Sequence, residues 1–499
     1  MRDIKPRGLI LMYYPNGAAL EQGPTAVVPG SHSFMPDADL VSALGPMPEP
    51  HADRDAWLLK QANSFGDEGR EDFRAVVPPG AVLLTDYHIY HRASRNAGPD
   101  APWRPNVKMG AARISEPTAT TPRSSWAVAS AAQPPLDSTP AVHSAVWSWL
   151  AGGPRPADPG AATEQDAALL HDSTSEVQRV EAAHRLAAAA AGGSSAALDS
   201  LLDAFAAGSH TSTRAVSYGG AFGDGGDAPH RAAKYGLSAV GPVAAPAVAA
   251  ALTAAVAAQQ WREVPDAAHV LGQCAADDDA TAVAALASAL AAALSELDEY
   301  TEAAIAAGTV EAGYVAPAGN DPKPEGWEAV ENDLFTHARR TAAAELSCAL
   351  GLVGHRACRA GAVAEALAAL DALLLLLTGE GEPGCAFRAD GLWNNQLRTT
   401  AGTALLRICS DPTRTSASMP LLGGLRGRDR LVKGMVVEAM RRAEASASGG
   451  GLASEKVWRR LQEVEWPWAG FGGAEDAQAA VYVPCDDPEA AATHLQVFQ

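Results

Sequence analysis

The sequence predicts a two-part protein, an all-β segment followed by an all-α solenoid, and three observations carry that prediction. Short apolar, β-rich runs separated by Pro-Gly turns fill residues 1–117. Alanine and leucine at helical spacing dominate from about residue 170, and a Pro/Ser/Thr/Ala-rich stretch lies between the two. The 499-residue length, 47% hydrophobic with 6% aromatic residues, is itself too long for a single small module.

In the first part, residues 8–14 are apolar and aromatic. Residues 25–28 are β-rich and end at Pro29-Gly30, and residues 82–90 alternate imperfectly after Pro78-Pro79-Gly80. Strands at these spacings predict a barrel or sandwich. Residues 118–165, with Pro122, Pro134, Pro135, Pro140, Pro154, Pro156 and Pro159, read as a linker in which Trp147 and Trp149 dock onto a neighbour.

Residues 166–450 read as the solenoid. Four segments, 180–186, 231–237, 265–271 and 340–346, each end in a leucine six residues after their start: Leu186, Leu237, Leu271 and Leu346. An Ala-rich second helix is expected after each, over 196–207, 246–258, 282–297 and 362–377. Small residues let helices approach closely, and a helix pair unable to bury its own apolar face stacks on the next pair. Insertions over 208–227 and 300–325 interrupt the array, 398–406 and 431–445 are weaker members, and 451–499 reads as a tail.

Charge and cysteine usage narrow the function classes. Lys and Arg total 38 against 58 Asp and Glu, a net charge of −20, the wrong sign for broad attraction to nucleic acid. Residues 1–117 hold 12 basic and 14 acidic residues, so 18 of the 20 excess negative charges lie beyond them. Six cysteines without a Cys-x-x-Cys pair predict a reducing, intracellular compartment, with the cytoplasm as the expectation. No secretory signal is expected at the N-terminus. The uncharged run 240–260 is mostly alanine, carries Pro242 and Pro246, and is expected to be a buried solenoid helix rather than a membrane span.

The motif-bearing stretch is residues 13–113. It contains Tyr13-Tyr14-Pro15-Asn16-Gly17, then Gly23-Pro24-Thr25-Ala26-Val27-Val28-Pro29-Gly30-Ser31-His32. Later come Pro79-Gly80-Ala81-Val82-Leu83-Leu84-Thr85-Asp86, Tyr90-His91-Arg92-Ala93-Ser94-Arg95-Asn96 and Trp103-Arg104-Pro105. In order and spacing these resemble the C-terminal half of the phytanoyl-CoA dioxygenase family. Its members are Fe(II)- and 2-oxoglutarate-dependent oxygenases on a double-stranded β-helix, or jelly roll. The helical region in turn resembles HEAT-like repeats. Deoxyhypusine hydroxylase, built on such repeats, holds iron through His-Glu dipeptides, and none of the 13 histidines here precedes a Glu.

The resemblance implies a facial triad of two His and one carboxylate holding Fe(II), with open positions for 2-oxoglutarate and O₂. By motif, His91 matches the second iron-ligand histidine and Arg104 the arginine that pairs with the far carboxylate of 2-oxoglutarate. Asn96 matches a turn-shaping Asn. His88 is the rival ligand, since its odd offset from His91 lets only one face the interior; Arg92 and Asn96 in register favour His91. His32 reads as structural, and Arg92 and Arg95 are alternative anion grips.

The first ligand pair, His-x-Asp, belongs upstream of Pro29, where this sequence has no histidine. Asp3 has Met1 in the histidine's place, and His51-Ala52-Asp53 comes after the Pro-Gly-Ser-His segment. The expectation is therefore an oxygenase-like domain lacking its first third, inactive or weak as it stands. Its substrate would be a small molecule, an acyl thioester being the family's namesake, and the competing expectation is a non-catalytic scaffold whose acidic solenoid binds a protein partner.

Overall fold

The computed structural model describes residues 5, 8–27, 74–86, 89, 91–92, 94, 96, 104–113, 116–117, 139–153, 157–173, 176–207, 228–307, 334–378, 394–410, 428–448 and 452–464. The chain is mostly helical, with a small antiparallel sheet, and it divides into two compact units, Met1–Val240 and Gly241–Gln499.

The first unit opens with β1 (Gly8–Tyr14), β2 (Ala26–Val27), β3 (Ala81–Asp86), β4 (His91–Arg92) and β5 (Val107–Ala112). β1 lies between β3 and β5, antiparallel to both, while β2 pairs with β4 in a separate two-stranded sheet. The two-residue alternation of β1 buries Ile10, Met12 and Tyr14 on one face, where Ala18, Val77 and Leu83 pack against them. Two of the motifs meet here. Gly17 and Gly80 both donate their backbone N–H to the Tyr14 carbonyl, at 3.2 and 2.9 Å. Gly17 has φ +75°, and a Cβ there would stand 2.8 Å from the Val77 carbonyl oxygen, so only glycine closes this turn.

Helices follow: α1 (Pro140–Leu150), α2 (Glu164–Asp172), α3 (Glu176–Ala191), α4 (Ser195–Ala207) and α5 (Ala228–Val240). The stretch read as linker thus contains α1 and the start of α2. α1 has a physical anchor at each end. Glu181 of α3 accepts hydrogen bonds from the backbone N–H groups of Ala141 and Val142 at 3.0 and 3.3 Å, satisfying donors that a helix N-terminus leaves open. At the other end the Trp149 indole donates to Glu116 at 2.6 Å and lies beneath Lys5 and Arg113. The expected docking of Trp149 is therefore realised, onto the chain just outside β1 and β5.

The second unit holds α6 (Ala245–Ala257), α7 (Val264–Cys274), α8 (Ala280–Ala306), α9 (Leu334–Ala360), α10 (Val363–Thr378), α11 (Asn394–Ile408), α12 (Arg428–Ser448) and α13 (Leu452–Glu463). α7, α9, α11 and α12 pack one on the next, and α6, α8 and α10 form a second such series. All four marker leucines are buried. Close approach within the first series rests on small residues: a Cβ at Gly272 of α7 would sit 2.8 Å from Ala349 of α9, and one at Gly351 would sit 2.8 Å from Ala404 of α11.

Several boundaries differ from the sequence reading. The run 240–260 is not one buried helix: it breaks at Gly241 (φ 94°) and a 3₁₀ turn, Pro242–Ala244, and α6 then buries only one face. α8 continues to Ala306, into the segment expected to be an insertion, and the segment read as tail begins with α13, packed on α10 and α12. The predicted insertion 208–227 lies outside the described residues. Among the described residues, one helical stretch, Ala280–Glu299, is long and apolar enough to cross a membrane, and it is partly buried in the fold.

Candidate functional site

Arg104 sits three residues before β5, with its guanidinium 5.5 Å from the centre of the Tyr14 ring. Alternation along β1 explains the partner, because Tyr14 shares the inner face with Met12 and Ile10 and is fully buried. The Tyr14 hydroxyl lies 2.7 Å from Thr25 Oγ1, and both hydroxyls approach the Met12 sulfur at 3.7 and 3.8 Å. The ring is thereby fixed, and its face offers Arg104 a cation–π platform. Nε and Nη1 of Arg104 are buried without a hydrogen-bond partner. Orphaned buried donors on a cation are costly, and an anion is the group that satisfies them best.

Thr85, at the Asp86 end of β3, also keeps a buried hydroxyl without a partner. Its register position opposite Ile10 puts it on the same sheet face as Tyr14. The motifs contain both Tyr14 and Thr85 but assign neither a role, although period-two counting forward from Ile10 puts Tyr14 on the inner face.

His91 belongs to the second sheet. It begins β4, opposite Val27, is exposed, and its Nδ1 is 2.9 Å from the Ile89 carbonyl oxygen. β4 and β5, the strand that follows Arg104, belong to different sheets, so His91 and Arg104 do not stand on neighbouring strands. The split follows from pairing: β5 completes its hydrogen bonds on β1, whereas the short β4 finds β2. With Nδ1 committed to a carbonyl, His91 offers Nε2 alone as a donor, and among the described residues no group of three or more His, Cys, Asp or Glu side chains could hold a metal ion. That donor set does not fit a facial triad. Asn96 is exposed. His88, His32, His51, Asp53 and Arg95 lie outside the described residues.

Buried ionisable groups in the helices close structural contacts. Arg185 joins Asp166 at 2.8 Å and Glu181 at 3.2 Å. Burial opposes ionisation of both acids. In Asp166 the hydrogen bonds from Arg185 and Thr163 outweigh it and hold the carboxyl low, while in Glu181 burial prevails and raises the carboxyl. In the second unit, Glu296 accepts from Trp261 at 3.0 Å and from Arg339 at 2.6 Å, tying α8 to α9.

No family model, curated protein or solved structure matches the chain.

Proposed function

We propose that the β part is a partial jelly roll of the phytanoyl-CoA dioxygenase type that binds a carboxylate, 2-oxoglutarate in the first instance, through Arg104, and that it is joined to a HEAT-like α-solenoid. The observation that carries this reading is the Arg104 guanidinium, held over Tyr14 with Nε and Nη1 buried and unsatisfied. Planar, bidentate pairing with a carboxylate is the interaction such a group is shaped for. The solenoid reading is supported by the two helix series of the second unit and by their Gly–Ala contacts.

Fe(II) completes the family's chemistry, but the described donors around His91 fall short of holding it, and no oxidative step follows from them. The activity that does follow is carboxylate binding with weak or absent 2-oxoglutarate turnover. Isothermal titration of the full chain with 2-oxoglutarate tests it. Arg104→Ala should weaken binding by about 1.5–3 kcal/mol, roughly tenfold to a hundredfold, because a charge-assisted pair is lost. Equal binding by wild type and variant defeats the reading. Robust succinate release with added Fe(II), lost on His91→Ala, would instead make His91 a ligand and point to His51 and Asp53 as its companions.

The 18 excess negative charges beyond residue 117 favour a second reading, a scaffold whose acidic helices bind a basic protein. Salt-sensitive binding of a polylysine peptide that ignores Arg104→Ala would support it.

A further inference from the structure

The face of the β3-β1-β5 sheet opposite the Tyr14 core is an ordered apolar grid. Register sets Leu84 and Met109 on either side of Leu11, and Val82 and Val107 on either side of Tyr13. Five of these six are exposed, from 37% for Tyr13 to 57% for Leu84. Among the described residues of these strands, one charged side chain, Asp86, shares the face, beside Leu9 at its edge. Soluble proteins seldom leave such a continuous patch uncovered, and at about 100 Å² per exposed side chain it measures roughly 500 Å², toward the large end for a monomer.

We infer that this face binds the same face of a second copy of the chain. Area supports the choice: two such faces together bury about 1,000 Å², the size at which specific association begins. Charge supports it too, because residues 1–117 carry only 2 of the 20 excess negative charges, so copies meeting there avoid the repulsion that contact through the acidic helices would bring. Antiparallel sheets pack face to face at about 10 Å with their strands within roughly 30° of alignment, which lets branched and aromatic side chains interdigitate. The inference is independent of carboxylate binding.

Sedimentation equilibrium of the full chain should show a reversible monomer–dimer equilibrium with a dissociation constant in the micromolar range. Replacing the exposed centre of the grid, Leu84→Lys with Met109→Lys, should raise that constant about tenfold or more. Val82→Thr with Val107→Thr preserves the β-branched shape and so the strand, and should weaken the dimer in the same direction by less. Arg104→Ala should leave the equilibrium unchanged. A chain that stays monomeric at the highest concentration reached, or a dimer indifferent to both pairs of substitutions, overturns the inference.

Discussion

His184 shows how one buried side chain sets a pH limit. It lies within α3, both ring nitrogens are buried without a hydrogen-bond partner, and burial pushes its imidazole down to about 4. In the unfolded chain the same group titrates at about 6.5. As pH falls through this window the unfolded chain takes up the proton first, so the contribution is whole above about pH 6.5 and gone below about pH 4, a loss of about 3 kcal/mol. Glu181, raised by burial, works in the opposite sense nearby, and Asp166, held low, loses its contribution only at still lower pH. Urea unfolding midpoints across this range should therefore fall on acidification in the wild type and fall less in His184→Leu. An identical pH profile for the two proteins would remove His184 from the account.

At the scale of elements, the helix contacts of the second unit depend on the absence of a single carbon. Gly272 lies within α7, where alanine ordinarily favours the helix by about 1 kcal/mol. Here the added Cβ would meet the Cα and Cβ of Ala349 at 2.8 Å, backbone that cannot step aside without moving α9. Gly272→Ala should thus destabilise by about 1–3 kcal/mol, as overpacking does. Chemical denaturation reads this directly, and a stabilised variant would mean that α7 and α9 do not approach as described. The helices themselves were legible because Ala and Leu recur at helical spacing, and both helices of each of the four expected pairs are present. α1 was not legible: Pro140, its serines and the prolines on either side of it read as linker, and what holds it is Glu181, 40 residues beyond Ala141, together with Glu116, 33 residues before Trp149.

The whole molecule carries −20 charges, 18 of them beyond residue 117. Self-repulsion of like charges opposes compaction, and salt screens it over a Debye length of about 8–10 Å near physiological ionic strength. Added sodium chloride should accordingly raise the melting temperature by several degrees, measured by calorimetry at pH 7. A melting temperature that falls with salt would show that ion pairs such as Arg339–Glu296 outweigh the net charge.

The division into a β-rich start and a helical remainder was readable along the chain, since side-chain period and turn residues are local properties that each segment carries with it. Arg104 was singled out by the motif around it. What Arg104 rests on was settled by the fold, because Tyr14 is 90 residues distant and reaches it through the pairing of β5 with β1. The pairing of β4, which carries His91, with β2 rather than β5 was decided at the same level. Strand pairing is a choice among non-local partners, made by the hydrogen bonds and apolar surface each option buries, and no spacing along the chain records it.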